Sequence, residues 1–138
     1  MTFAASSSAR ALAALQGLAI GDALGMPTQL LPPAEVAERY GVIGGFRAAA
    51  ADHPIAAGLP AGTVTDDTDQ ALLLARLLVE TGGRVPSGEW AERLAAWEDE
   101  MRARGSLDLL GPSTRVAIAA IRSGTDPAEA GRGGATNG

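Results

Sequence analysis

The chain has 138 residues, 46% of them hydrophobic and 20% charged, which is the balance of one globular domain with enough length to bury a core. Its net charge of −5 and scattered basic residues argue against a nucleic-acid surface, and the absence of cysteine excludes disulfides, thiol catalysis and zinc–thiolate sites. A cysteine-free chain is compatible with a cytoplasmic setting, which is the expectation adopted.

Helical signals dominate. Leu12, Leu15, Ala19 and Ala23 recur at the i, i+3/i+4 spacing of one helix face. Gln16 and Asp22 interrupt this apolar run and Arg10 is its only early basic residue, so it reads as a buried first helix rather than a secretion signal. No apolar stretch is long enough to span a bilayer. Pro27 and the pair Pro32-Pro33 end that region. A short helix should run from Pro33 to Tyr40, with proline near its start and Gly41 just past its end. Residues 41–64 are rich in Gly, Ala and Pro without a period and read as a loop, long enough for a functional one. His53 lies in it as the sole histidine, which suits a loop hydrogen bond better than a metal ligand.

Further helices are expected from Asp66 to about Thr81, stopped by Gly82-Gly83, and from Ser87 to about Ala103. In the latter, Trp90, Leu94, Trp97 and Met101 form one stripe, which predicts core packing rather than a stacking platform. Another helix fits Pro112–Ile121. Asp126-Pro127-Ala128-Glu129 then carries an N-cap, a first-position proline and a capping acid. With no convincing strand and no internal repeat, the fold class is all-α.

Thr65-Asp66-Asp67-Thr68-Asp69 places three carboxylates and two hydroxyls at the start of a helix. An acidic first turn favours the helix dipole and can be no more than a solvated helix start. Adjacent acids also repel, however, and a hard cation such as Mg²⁺ or Mn²⁺ relieves that repulsion with oxygen ligands. Successive helical side chains diverge by about 100°, so Asp66 and Asp67 point apart, an arrangement that suits two ions better than one.

Two other segments accompany the pentad. One is Gly17-Leu18-Ala19-Ile20-Gly21-Asp22-Ala23-Leu24-Gly25-Met26-Pro27; the other is Gly131-Arg132-Gly133-Gly134-Ala135-Thr136-Asn137-Gly138. With Thr65-Asp66-Asp67-Thr68 and Gly111-Pro112-Ser113-Thr114-Arg115, these segments resemble the ADP-ribosylglycohydrolase family, in the family's order, from about Leu12 to Gly138. The resemblance implies an orthogonal helix bundle and a hydrolase that cleaves the glycosidic bond between ADP-ribose and an acceptor such as a protein side chain. It implies two divalent cations, Mg²⁺ or Mn²⁺, on Thr65, Asp66 and Asp67, with Asp66 and Asp67 also candidate bases. Gly133, Gly134, Thr136, Asn137 and Gly138 would hold ADP-ribose, through backbone N–H groups that suit phosphate oxygens.

The chain departs from the family at two places. Where a catalytic glutamate often follows the early motif, this sequence has Gln29, an amide that can position ribose or water but cannot exchange a proton near neutral pH. Glu35 is the nearest alternative acid, and Asp22 reads as a hydrogen-bonded acid supporting the site. Asp69 lies beyond the matched ligands and reads as a solvent-facing acid. The family's second aspartate motif, Asp-x-Asp-Thr, has no counterpart after Asp69, where Asp99, Asp108 and Asp126 are isolated. The expectation is therefore the N-terminal portion of a single domain, with weak metal binding, little turnover by itself and exposed apolar helix faces. The alternatives are a non-catalytic, crystallin-like structural or remnant protein of the same fold, and a hydrolase of a small nucleoside-like metabolite.

Overall fold

The computed structural model describes residues 6–106 and 110–133. The described residues form helices and turns with no strand among them, as the sequence predicts. The chain divides into two compact units, Met1–Ala71 and Leu72–Gly138.

In the first unit, α1 (Ser7–Gly25) begins where the Ser6 side chain accepts a hydrogen bond from Ala9 N at 3.2 Å, satisfying one of the unpaired donors of a helix start. A 3₁₀ turn, Met26–Thr28, follows directly, with Met26 and Pro27 fully buried. The helix forms as expected, but its face is buried only in part: Ala23 is buried, Leu15 and Ala19 are half-buried and Leu12 is 58% exposed. Apolar spacing measures a helix's preference for burial and not the supply of a partner. The described residues of this unit cover α1 only at its C-terminal end.

Helix α2 (Pro33–Tyr40) has proline at its first position and ends at Gly41, whose φ of 60° and ψ of −130° suit a residue without Cβ. The irregular segment after it is tied by hydrogen bonds within itself and back to α2. Ala49 N donates to Leu59 O at 3.0 Å, Gly58 N to Ala50 O at 3.1 Å and Ala50 N to the Tyr40 hydroxyl at 3.2 Å. Arg39 grips Asp52 through both carboxylate oxygens, at 2.6 and 3.1 Å, and this guanidinium holds the Asp52 carboxyl below its usual range. The contribution of that pair is present at neutral pH and is lost as the pH falls beneath the ordinary carboxylate range. Met26, Ala49 and Ala56 form the local core, with Leu59 packed against it.

His53 plays the loop role expected of it. Its ring is 3% exposed, and Nδ1 accepts from Ala56 N at 2.9 Å and Ile55 N at 3.3 Å. The ring proton therefore sits on Nε2, which has no partner among the described residues. Replacing His53 with alanine strands two backbone donors and should cost about 1–3 kcal/mol in urea unfolding. Asparagine, whose side-chain oxygen can accept from backbone N–H groups just ahead of it, should recover part of the loss.

Helix α3 (Asp66–Glu80) starts in the first unit. It ends where Gly82 and Gly83 take φ of 65° and 90°, and Gly83 N returns to Leu78 O at 2.7 Å. In the second unit, α4 (Ser87–Ala103) packs on α5 (Pro112–Arg122), and α6 (Pro127–Ala130) leads into a 3₁₀ turn, Gly131–Gly133. The predicted stripe is the core here: Leu94 and Trp97 are buried with Ala91, Ala95, Leu110 and Ile118, while Trp90, Met101, Leu73 and Ile121 pack around them. Arg122 forks onto Glu92 at 2.8 and 2.7 Å, linking α5 to α4 on the exposed side.

Candidate functional site

The first amides of a helix lack intrahelical partners, and Thr65, at the N-cap position of α3, is expected to satisfy one with its own hydroxyl. The structure assigns that task to Asp22, from the last turns of α1. Asp22 Oδ2 accepts from Thr65 N at 2.8 Å, from Thr68 N at 3.3 Å and, in a short contact, from the Thr68 hydroxyl. Asp22 Oδ1 accepts from Thr65 Oγ1 at 2.7 Å. An ionised carboxylate wins this place because it only accepts, has two oxygens to offer and is favoured by the positive end of the helix. Thr65 and Thr68 stand three residues apart, on one side of the first turn, and both are buried. The expectation that Asp22 is a hydrogen-bonded acid agrees with these bonds, although it is half-buried rather than buried. Thr68 is a partner that the pentad's composition does not single out; the signal for it in the sequence is the three-residue spacing of the two hydroxyls.

Gln29 follows the 3₁₀ turn and is half-buried, with its Nε2 donating to Thr65 Oγ1 at 3.5 Å. Asp66 is half-buried and accepts from Gln70 Nε2 at 3.0 Å, whereas Asp67 is exposed, so the two acids do face differently. Asp69 is half-buried rather than open to solvent, because three residues of helix return it to the side of Asp66. Glu35 is engaged elsewhere, paired with Arg39 at 2.6 Å. Asp22, Gln29, Thr65 and Thr68 are thus in direct contact, with Asp66 and Asp67 next along the helix. Gly133 closes the 3₁₀ turn of the second unit, and Gly134, Thr136, Asn137 and Gly138 lie outside the described residues.

Among the described residues, no three His, Cys, Asp or Glu side chains converge tightly enough to hold an ion by themselves. The donor chemistry at the start of α3 nonetheless fits Mg²⁺ or Mn²⁺: Thr65, Asp66 and Asp67 offer hard oxygens only, and Mg²⁺ is commonly held by one or two carboxylates while keeping several waters. The set fits an open, water-rich site and not a closed cage.

Among the described residues, which are helical and irregular only, hydroxyls and carboxylates gather at one helix start, braced by an acid distant in sequence. The particular family follows from comparison: the ADP-ribosylglycohydrolase family model matches residues 4–138, and the chain belongs to that family. It is similar to the uncharacterised protein YegU of Escherichia coli (strain K12), 36% identical over 129 residues that make up 94% of this chain and 38% of that protein. It is also similar to an uncharacterised protein of Archaeoglobus fulgidus, 38% identical over 116 residues, 83% of this chain and 34% of that protein. The ADP-ribosyl-[dinitrogen reductase] glycohydrolase of Rhodospirillum rubrum is 34% identical over 93 residues, 64% of this chain and 28% of that one. The chain spans well under half the length of each of these relatives. No described helix is long and apolar enough to cross a membrane.

Proposed function

We propose that this chain carries part of the active centre of a metal-dependent hydrolase that cleaves the glycosidic bond of ADP-ribose conjugates. The observation that carries the reading is the braced start of α3, where the half-buried Asp22 carboxylate holds the buried Thr65 and Thr68 beside half-buried Asp66 and exposed Asp67. Thr65, Asp66 and Asp67 would hold Mg²⁺ or Mn²⁺, two ions in the full site. When bound, such ions lower the pKa of a coordinated water and fix oxygen ligands.

The chain's own residues divide the remaining work. Asp67, which is exposed, would take a proton from water, while Asp66 accepts a hydrogen bond from Gln70. Gln29 can orient a ribose hydroxyl or water but cannot exchange a proton. The glycine-rich segment from Gly133 to Gly138 would supply N–H groups for the diphosphate. The name of the Rhodospirillum relative supports an ADP-ribosylated protein as the conjugate. Gln29 favours the second reading, a non-catalytic protein of the same fold.

Calorimetric titration of the chain with ADP-ribose, in Mg²⁺, in Mn²⁺ and in EDTA, tests the proposal. Binding that needs the cation supports it. Equal binding in EDTA, or none in any buffer, would leave the non-catalytic reading. With so open a donor set, turnover of an ADP-ribosylated protein by the chain alone should be slight, and fast cation-dependent release of ADP-ribose would overturn that expectation.

A further inference from the structure

We propose that Asp22 is a positioning residue that sets the polarity of Thr65: by holding the hydroxyl proton it leaves Thr65 Oγ1 able to meet only a donor or a cation, and in the cation-free chain the Gln29 amide takes that place. The inference rests on Thr65 being a cation ligand and adds how the chain prepares it.

A threonine hydroxyl has one proton and two lone pairs, and a carboxylate has no proton to give. The 2.7 Å contact between Thr65 Oγ1 and Asp22 Oδ1 therefore commits the only hydroxyl proton to Asp22. Oδ2 is already taken up by three donors: the amides of Thr65 and Thr68 and the Thr68 hydroxyl. Nothing in this arrangement lets Thr65 reverse. What faces the other side of Oγ1 must bring positive charge or a proton. Gln29 Nε2 does so at 3.5 Å, the far end of hydrogen-bond range, so the contact is weak and readily displaced. The same polarity settles which end of the Gln29 amide is turned inward, since its carbonyl oxygen would set acceptor against acceptor. A helix cap alone would need the two amide bonds to Oδ2; the bond from Oδ1 to the Thr65 hydroxyl contributes nothing to capping and acts only on the orientation of that hydroxyl.

The test compares Asp22→Asn with Thr68→Val. Asparagine keeps the shape of Asp22 but presents NH₂ at one end, which frees the Thr65 proton to point toward the cation side. Valine removes one of the bonds to Asp22 and leaves Thr65 untouched. Two readouts are needed: Mn²⁺ affinity from the electron paramagnetic resonance of free Mn²⁺, and the Gln29 side-chain amide resonances in a cation-free ¹⁵N–¹H spectrum. Asp22→Asn is expected to weaken Mn²⁺ binding at least tenfold and to move the Gln29 amide toward the position of free glutamine. Thr68→Val should lower Tm while keeping Mn²⁺ affinity within twofold and the Gln29 amide in place. Equal loss of affinity in both variants for an equal drop in Tm would reduce Asp22 to a structural cap and overturn the proposal. If the wild-type chain binds no Mn²⁺, the cation reading of Thr65–Asp67 fails by itself; the Gln29 amide then decides the role of Asp22, an unmoved resonance in Asp22→Asn refuting it.

Discussion

Asparagine at both Asp66 and Asp67 is expected to abolish the response of this chain to divalent cations. In EDTA the double variant should melt no lower than the wild type. Two negative charges leave a helix start that still has Asp22 and Asp69 to complement its dipole, so the relief of repulsion outweighs the lost charge–dipole attraction of about 0.3–1 kcal/mol each. With Mn²⁺ at a hundred times its Kd, the wild type should gain about 2.7 kcal/mol, because a ligand that binds only the folded state stabilises it by mass action. The variant should gain nothing. Scanning fluorimetry with and without Mn²⁺ reads both effects, and an equal cation-induced shift in the two proteins would place the ion elsewhere.

The second large effect is expected in the other unit. Trp97 is 7% exposed and sits with Leu94, Ala95, Leu110 and Ile118, so alanine there leaves a large void in a small core. The cost should be about 3–5 kcal/mol. That is a large share of the roughly 5–15 kcal/mol by which a domain is ordinarily stable. The urea transition of Trp97→Ala, followed by far-UV circular dichroism, should move to markedly lower denaturant or vanish, while Trp97→Phe retains much of the packing. The chain has two tryptophans, so Trp90 remains as a fluorescent reporter; being only partly buried, its own replacement should cost less. Similar losses at Trp90 and Trp97 would contradict the burial order along α4.

Much of the helical pattern is legible because its punctuation is local. Proline at the start of α2 and α5, and the glycines after α2 and α3, act on the φ and ψ of their own residues and one neighbour, so the expected ends fall within about a residue of those found. The stripe on α4 is equally readable, since one apolar face at helical spacing needs a core and α5 supplies it. The first helix shows the limit of that reasoning. Of the face Leu12, Leu15, Ala19 and Ala23, expected to be buried, only Ala23 is; Leu15 and Ala19 are half-buried and Leu12 is exposed. The segment from 41 to 64 shows the opposite limit: a stretch without periodicity is held by a hydrogen bond donated by Arg39, one accepted by the Tyr40 hydroxyl and those accepted by the buried His53 ring, none of which leaves a periodic trace.

At the site, the sequence by itself determined the ingredients: an acid cluster at a helix start, an early Gly-Asp-Ala-Leu-Gly motif, an amide at Gln29, and a family resemblance that comparison bears out. Only the tertiary structure decided who meets whom. Asp22 lies 43 residues from Thr65 and 46 from Thr68, and it displaces the Thr65 hydroxyl from capping its own helix. Residue type says which groups can donate and accept. The direction in which a hydroxyl gives its proton depends on oxygen positions within tenths of an ångström, and those are set only when the end of α1 and the start of α3 come together.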